Sequence, residues 1–227
     1  MGPLAGARER LWRLVDELKA GDPLDPVTVV VPTTYAALSL RQEAGRSGMA
    51  NVRFVILARL SELLGAPALS AQQRRPMTHL LEASGVRTVA AAAEGPLANS
   101  RDHPQTRRSL TNTFRQLRHA SPAALDRLAD GPQVPAETVR LYRRFRELTA
   151  RFYDREELAQ SAALSVAPLS VKDGQAAGLD EMGPVIVYLV HDFTPGEREL
   201  LEALASRSSC TLLLGLTGDA EADGPLH

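Results

Sequence analysis

Apolar positions in the first 70 residues switch between two periods. Leu11, Leu14, Val15 and Leu18 fall at i, i+3, i+4 and i+7, with Trp12 beside them, and predict a helix over 5–20. Gly21-Asp22-Pro23 stops it. Val27-Thr28-Val29-Val30-Val31 is an unbroken β-branched run ended by Pro32, the pattern of a strand buried on both faces. A helix over 35–44, a loop through Gly45-Arg46-Ser47-Gly48, a strand over 52–57 and a helix starting at 60–64 follow. Strands alternating with helices predict a parallel sheet with right-handed crossovers.

From residue 71 the pattern changes. No strand is legible, and Leu110, Phe114 and Leu117 mark a helix over 106–120. Ser121 and Pro122 read as the cap and first position of a short helix to 128. Val139, Tyr142, Phe145, Leu148 and Phe152 form the inward stripe of a long helix over 136–153, and another helix is expected over 154–163. Residues 170–183 read as a loop. Strand and helix alternate again at the end: strand 185–190, helix 195–206, strand 210–215 and a polar, frayed tail from 218 to 225. The chain therefore reads as one α/β domain, 1–70 and 184–227, interrupted by an all-helical insert, 71–183.

Composition narrows the class. The 227 residues are 44% hydrophobic but only 4% aromatic, so the core rests on Leu, Val and Ala. Net charge is −1, which makes no polycation of the chain. Lys19 and Lys172 are the only lysines; every other fixed cation is Arg, as suits phosphate binding or a GC-rich genome. The single cysteine, Cys210, excludes an internal disulfide and is expected as a packed, inert thiol in a buried strand. No secretory signal and no apolar run near ~20 residues is present, so no membrane span and a cytoplasmic location are expected.

Candidate chemistry sits at strand ends. Val31-Pro32-Thr33-Thr34-Tyr35 joins a strand to a helix where an open parallel sheet forms its ligand crevice. Thr33 and Thr34 either offer hydroxyls and N–H groups to a phosphate or cap the helix; Tyr35 either stacks on a base or packs inward. Gly2-Pro3-Leu4-Ala5-Gly6-Ala7-Arg8-Glu9 aligns with G-x-x-x-x-G-K-[ST]. Gly2 keeps the first place, but Ala7 replaces the glycine, Arg8 the lysine and Glu9 the hydroxyl residue. Gly2, Gly6 and Arg8 are the candidates for a degenerate nucleotide site. The strand that should precede such a loop is missing from the sequence, which reads as a fragment.

In the helical insert, Arg101, Arg107, Arg108, Arg115, Arg118, Arg140, Arg143, Arg144, Arg146, Arg151 and Arg155 outnumber the acids among them. Such helices either track a phosphate backbone, with Arg108, Arg115 and Arg144 as the candidate contacts, or form a solvated face laced with i,i+4 pairs such as Arg143–Glu147. His191 has no second ligand at helical spacing, so no metal or other cofactor is expected. No paired carboxylates or Ser-His-Asp arrangement stand out. After the strand 185–190, Asp192 reads as a turn residue.

Taken in order, these pieces resemble the N-terminal (1A/1B) part of an inactivated UvrD/Rep-like superfamily I helicase, of the AddB/RexB type found in helicase–nucleases. Gly2–Glu9 stands at that family's motif I and Thr28–Ala37 at motif Ia. The stretch ending Asp154-Arg155-Glu156-Glu157-Leu158 looks like the end of the helical 1B insert. Val185–Leu204 stands at motif II, whose Asp-Glu pair becomes Tyr188-Leu189; only the final Asp persists, as Asp192, and Glu197 stands where a Gln is usual. The resemblance implies a P-loop NTPase-like, helicase 1A-like sheet without the residues that bind Mg²⁺ and activate water. It further implies a non-hydrolysing module that binds and scaffolds single-stranded or forked DNA in double-strand-break repair, beside an AddA-like helicase–nuclease subunit that supplies the motor. Two alternatives stand against it: a protein-interaction module with a filled nucleotide crevice, and an active ATPase using Arg8, against which Glu9, Tyr188 and Leu189 argue.

Overall fold

The structure, a computed structural model, describes residues 3–167, 181–207 and 209–215, with side chains from residue 6 onward. In chain order its elements are α1 (Pro3–Leu18), β1 (Val27–Val31), α2 (Thr34–Arg46), β2 (Val52–Ile56), α3 (Leu57–Ala71), β3 (Arg75–Pro76) and α4 (His79–Ala90). A 3-10 helix over Gly95–Ser100 follows, then α5 (Pro104–Leu117), α6 (Pro122–Ala129), α7 (Gln133–Leu148), β4 (Phe152–Tyr153), α8 (Arg155–Val166), β5 (Val185–Tyr188), α9 (Pro195–Arg207) and β6 (Cys210–Leu213). They form two compact units, Met1–Ala68 with Leu158–His227, and Leu69–Glu157.

The first unit is α/β, built on a four-stranded, wholly parallel sheet in the order β2-β1-β5-β6. Alternation along the strands sends side chains to two faces. Val27, Val29, Val31, Phe54, Ile186 and Tyr188 pack with Leu11 and Val15 of α1 and Ala37, Leu40 and Ala44 of α2. Val30, Val185 and Val187 pack with α3, α8 and α9 through Leu57, Leu60, Ala162, Val166, Leu200 and Leu204. Covered on both faces, β1 and β5 are buried at every position, as their continuous apolar runs require. Thr28 fits that run because its hydroxyl donates to the Met182 carbonyl (2.7 Å). On the second face α3 and α8 approach closely. A Cβ at Gly65 would collide with the backbone carbonyl of Leu158 and lie 2.8 Å from the Ala162 nitrogen.

The second unit is helical. Val86, Val89, Leu110, Phe114, Val139, Leu141 and Phe145 form its core. Gly85 leaves room for Phe145, whose ring atom Cε2 would lie 2.8 Å from a Cβ there. Parallel pairing of Arg75–Pro76 with Phe152–Tyr153 ties the two ends of the unit's sequence together.

Several expectations shift. Phe152 was expected inside the long helix; α7 ends at Leu148, and Phe152 pairs in β4 instead. The insert was expected to run to residue 183; the helical unit ends at Glu157, and the part of α8 from Leu158 belongs to the α/β unit, held there by Ala162, Ala163 and Val166. The strand expected to 190 ends at Tyr188, because Leu189 turns to φ +52. Cys210 is half-buried rather than buried, on the edge strand, where burial still pushes its thiol up. The expected loop 170–183 and frayed tail lie largely outside the described residues. Among the described residues no helix is long and apolar enough to cross a membrane.

Candidate functional site

The chain leaves β1 for β2 on one side and β5 for β6 on the other, so its progress across the sheet reverses between β1 and β5. In open parallel sheets, ligands bind at such a reversal, outside the carboxyl ends of the strands. One lip here is Pro32-Thr33-Thr34-Tyr35, following β1. The other is Leu189-Val190-His191-Asp192, following β5.

The first lip is built by a helix cap. Thr33 has extended backbone and its hydroxyl accepts from the Ala36 N–H (3.1 Å), so Thr33, not Thr34, is the N-cap of α2. Thr34 is the first helical residue. Tyr35 does not pack inward: it is 82% exposed, and Leu38 beside it on the same helix face is 50% exposed. The first-lip residues singled out in the sequence thus sit together, with an aromatic ring presented to solvent.

The second lip is strained and carries no acid at the strand end. Leu189 holds a left-handed conformation that an L-residue adopts at a cost of roughly 1–2 kcal/mol. Its N–H still donates to Leu213 (2.9 Å), fixing the turn to β6. His191 and Asp192 are exposed. The cap of α9 is Thr194: its N–H donates to Glu197 (3.0 Å), and its hydroxyl accepts from the Glu197 N–H (3.3 Å). Glu197 therefore has a local structural task.

A polar cluster joins α1, α2 and β5. The Tyr188 hydroxyl is pushed up by burial, against the pull of the nearby Arg8 guanidinium; Glu43 adds to the upward push. Glu43 also pairs with Arg8 (3.6 Å) and accepts from the Trp12 indole (2.8 Å). So Arg8 and Tyr188, both singled out in the sequence, lie close enough to act on each other's charge. Gly6 lies in α1, exposed, with open space where a Cβ would stand. Helical backbone past the first turn spends its N–H groups internally, unlike a phosphate-cradling loop. Gly2 lies outside the described residues. Among the described residues no group of His, Cys, Asp and Glu is placed to hold a metal ion.

In the helical unit most arginines are committed. Glu82 takes Arg115 (2.5 Å) and Arg118 (3.1 Å); Arg118 continues to Asp154 (2.9 Å). Arg146 joins Asp154 (3.4 Å) to Glu157 (2.9 Å), which also receives Arg74 (2.6 Å). Burial raises the Glu82 and Glu157 carboxyls, but their arginines outweigh it and hold both below the usual range. Arg143 reaches Asp126 (2.5 Å) rather than Glu147. Of the three candidate contacts, Arg115 is thus tied to Glu82. Arg108 and Arg144 are exposed and have no ion pair among the described residues. The pairings of Glu82 with Arg115 and Arg118 were not legible because they link residues 33 and 36 positions apart. A scan against protein-family models and a search of curated proteins found no match to the chain.

Proposed function

We propose that this chain is a non-hydrolysing, helicase-like DNA-binding and scaffold module of the AddB type, acting in double-strand-break repair beside an AddA-like subunit that carries the motor. The observation that carries this reading is the closeness of Arg8 to Tyr188 at the end of β5, with Thr33, Thr34 and Tyr35 at the end of the neighbouring β1. The crevice belongs to a parallel sheet whose β1 and β5 are neighbours, the relation that motifs Ia and II have in a helicase 1A domain. Tyr188 and Leu189 leave no carboxylate at the end of β5, and Arg8 is engaged by Glu43, which disfavours ATP hydrolysis. The lip after β1 keeps an exposed aromatic ring suited to stacking on an unpaired base.

Fluorescence anisotropy on a labelled single-stranded oligonucleotide, with the whole chain, tests the reading. Binding should be strongest at low salt and fall steeply as salt rises. Tyr35→Ala should weaken it about tenfold, the worth of one stacked base; Arg144→Ala should weaken it less. No binding at low salt, or binding indifferent to both changes, would sink the proposal. A second reading, a protein-docking module with a filled crevice, is favoured by the adjoining exposure of Tyr35 and Leu38. It gains if DNA binding is absent and a motor subunit is retained through that face.

A further inference from the structure

We infer that the helical unit carries a second phosphodiester-binding groove, built from residues other than those assigned above, by the end of α3 and the end of α7. The inference rests on the DNA-binding reading. Ser70, Gln72, Gln73, Arg74, Arg75 and Arg151 line an open groove of about 910 Å³, with the half-buried Phe152 at its wall. Among the described residues no carboxylate side chain lines it. The arginine-rich groove on α7 differs: three carboxylates, Glu94, Glu137 and Glu147, line it along with Arg140, Arg143 and Arg144.

The charge balance decides what the α3–α7 groove takes. Both helices end here, and each C-terminus contributes roughly half a negative charge. Arg74 is neutralised by Glu157 (2.6 Å). Arg75 and Arg151 are exposed, form no ion pair among the described residues, and bring two whole positive charges. The sum is positive, and the remaining polar side chains of the lining, Ser70, Gln72 and Gln73, offer hydroxyl and amide donors. Arg75 and Arg151 are held side by side, because the Arg75 N–H donates to the Arg151 carbonyl (3.0 Å). Paired cations in an open groove larger than one phosphate suit successive phosphates of a strand, with Phe152 available to a base.

The test is a salt series of anisotropy titrations with a labelled oligothymidylate. For Arg75→Gln with Arg151→Gln, the slope of log K against log salt should become shallower by about 1.4, two single-strand phosphate contacts. Gln72→Glu puts a carboxylate in the groove without touching an arginine, and should weaken binding about fivefold at low salt. It decides the matter if circular dichroism shows the double variant misfolded. Unchanged slope and affinity in these variants, with wild type binding and Tyr35→Ala weakened, would overturn the groove and leave the proposed function standing. No binding by wild type would overturn both.

Discussion

The α/β unit buries no carboxylate among its described residues, whereas the helical unit buries Glu82, Glu137, Asp154 and Glu156. Val27 to Val31 and Val185 to Tyr188 fill the centre of one unit by apolar burial, and its buried Thr28 is answered by one carbonyl. The other packs Phe114 and Phe145 (ring centroids 5.3 Å apart) beside a chain of alternating charges running from Glu82 through Arg118, Asp154 and Arg146 to Glu157. A buried ion pair adds little over apolar packing, but losing one partner is costly, since the other stays uncompensated. The two units should therefore fail under different insults. Trp12, the chain's one tryptophan, sits in the α/β core against Phe54 and reports on that unit.

The largest effect is expected from Phe145→Ala. Deleting this fully buried ring should cost the helical unit about 3–5 kcal/mol. In urea, circular dichroism should then show an early loss of helix while Trp12 fluorescence keeps its wild-type midpoint; coincident early transitions would break the comparison. Gly65→Val is the converse, driving a branched side chain into the Leu158 backbone. It should cost the α/β unit about 3 kcal/mol, the upper end for overpacking, and move the Trp12 transition first.

Acid and alkali should separate the units next. Glu82 and Glu157 have lowered carboxyls, so their contribution is present above the ordinary glutamate value of about 4.3 and is lost as pH falls through the lower folded values. Tyr188 and Cys210 are raised; their contributions hold below the ordinary tyrosine and thiol values and are lost as pH rises. Helix loss with Trp12 emission intact is expected on acidification, and the reverse order in alkali. Simultaneous loss at both ends would refute the division. The smallest effect is expected from Glu43→Ala, which leaves the Trp12 indole N–H without its acceptor. It should cost about 1 kcal/mol and shift Trp12 emission; an unmoved emission maximum would mean that the hydrogen bond contributes nothing.

Much of the α/β unit was legible because β1 and β5 are buried on both faces and its helices carry clear stripes. Ser121 was legible as a cap, and its hydroxyl accepts from Ala124 (3.2 Å). Helix α4 was missed: Gly85 interrupts its stripe for the sake of Phe145, a partner far along the chain. Two-residue strands such as β3 and β4 are too short to show a period. The strand 52–57 was read one residue long because Leu57 passes directly into α3 with no turn residue between them. At the crevice, Thr33 to Tyr35 were legible from the strand–helix junction. The closeness of Arg8 to Tyr188 was not, since nothing local in either segment refers to the other.

The hydrogen bond from Thr28 to Met182 spans 154 residues of chain, and it stands beside the pairing of β1 with β5. During synthesis the whole helical unit, a contiguous stretch, leaves the ribosome before β5 exists. Its local helices can form at once, while β1 waits with only β2 beside it. Until residue 188 emerges, the β5-facing edge of β1, apolar at Val29 and Val30, has no native partner. The vulnerable interval in the life of this protein is therefore the translation time of its own middle, and limited proteolysis of arrested nascent chains should find the helical unit protected while β1 is still cut.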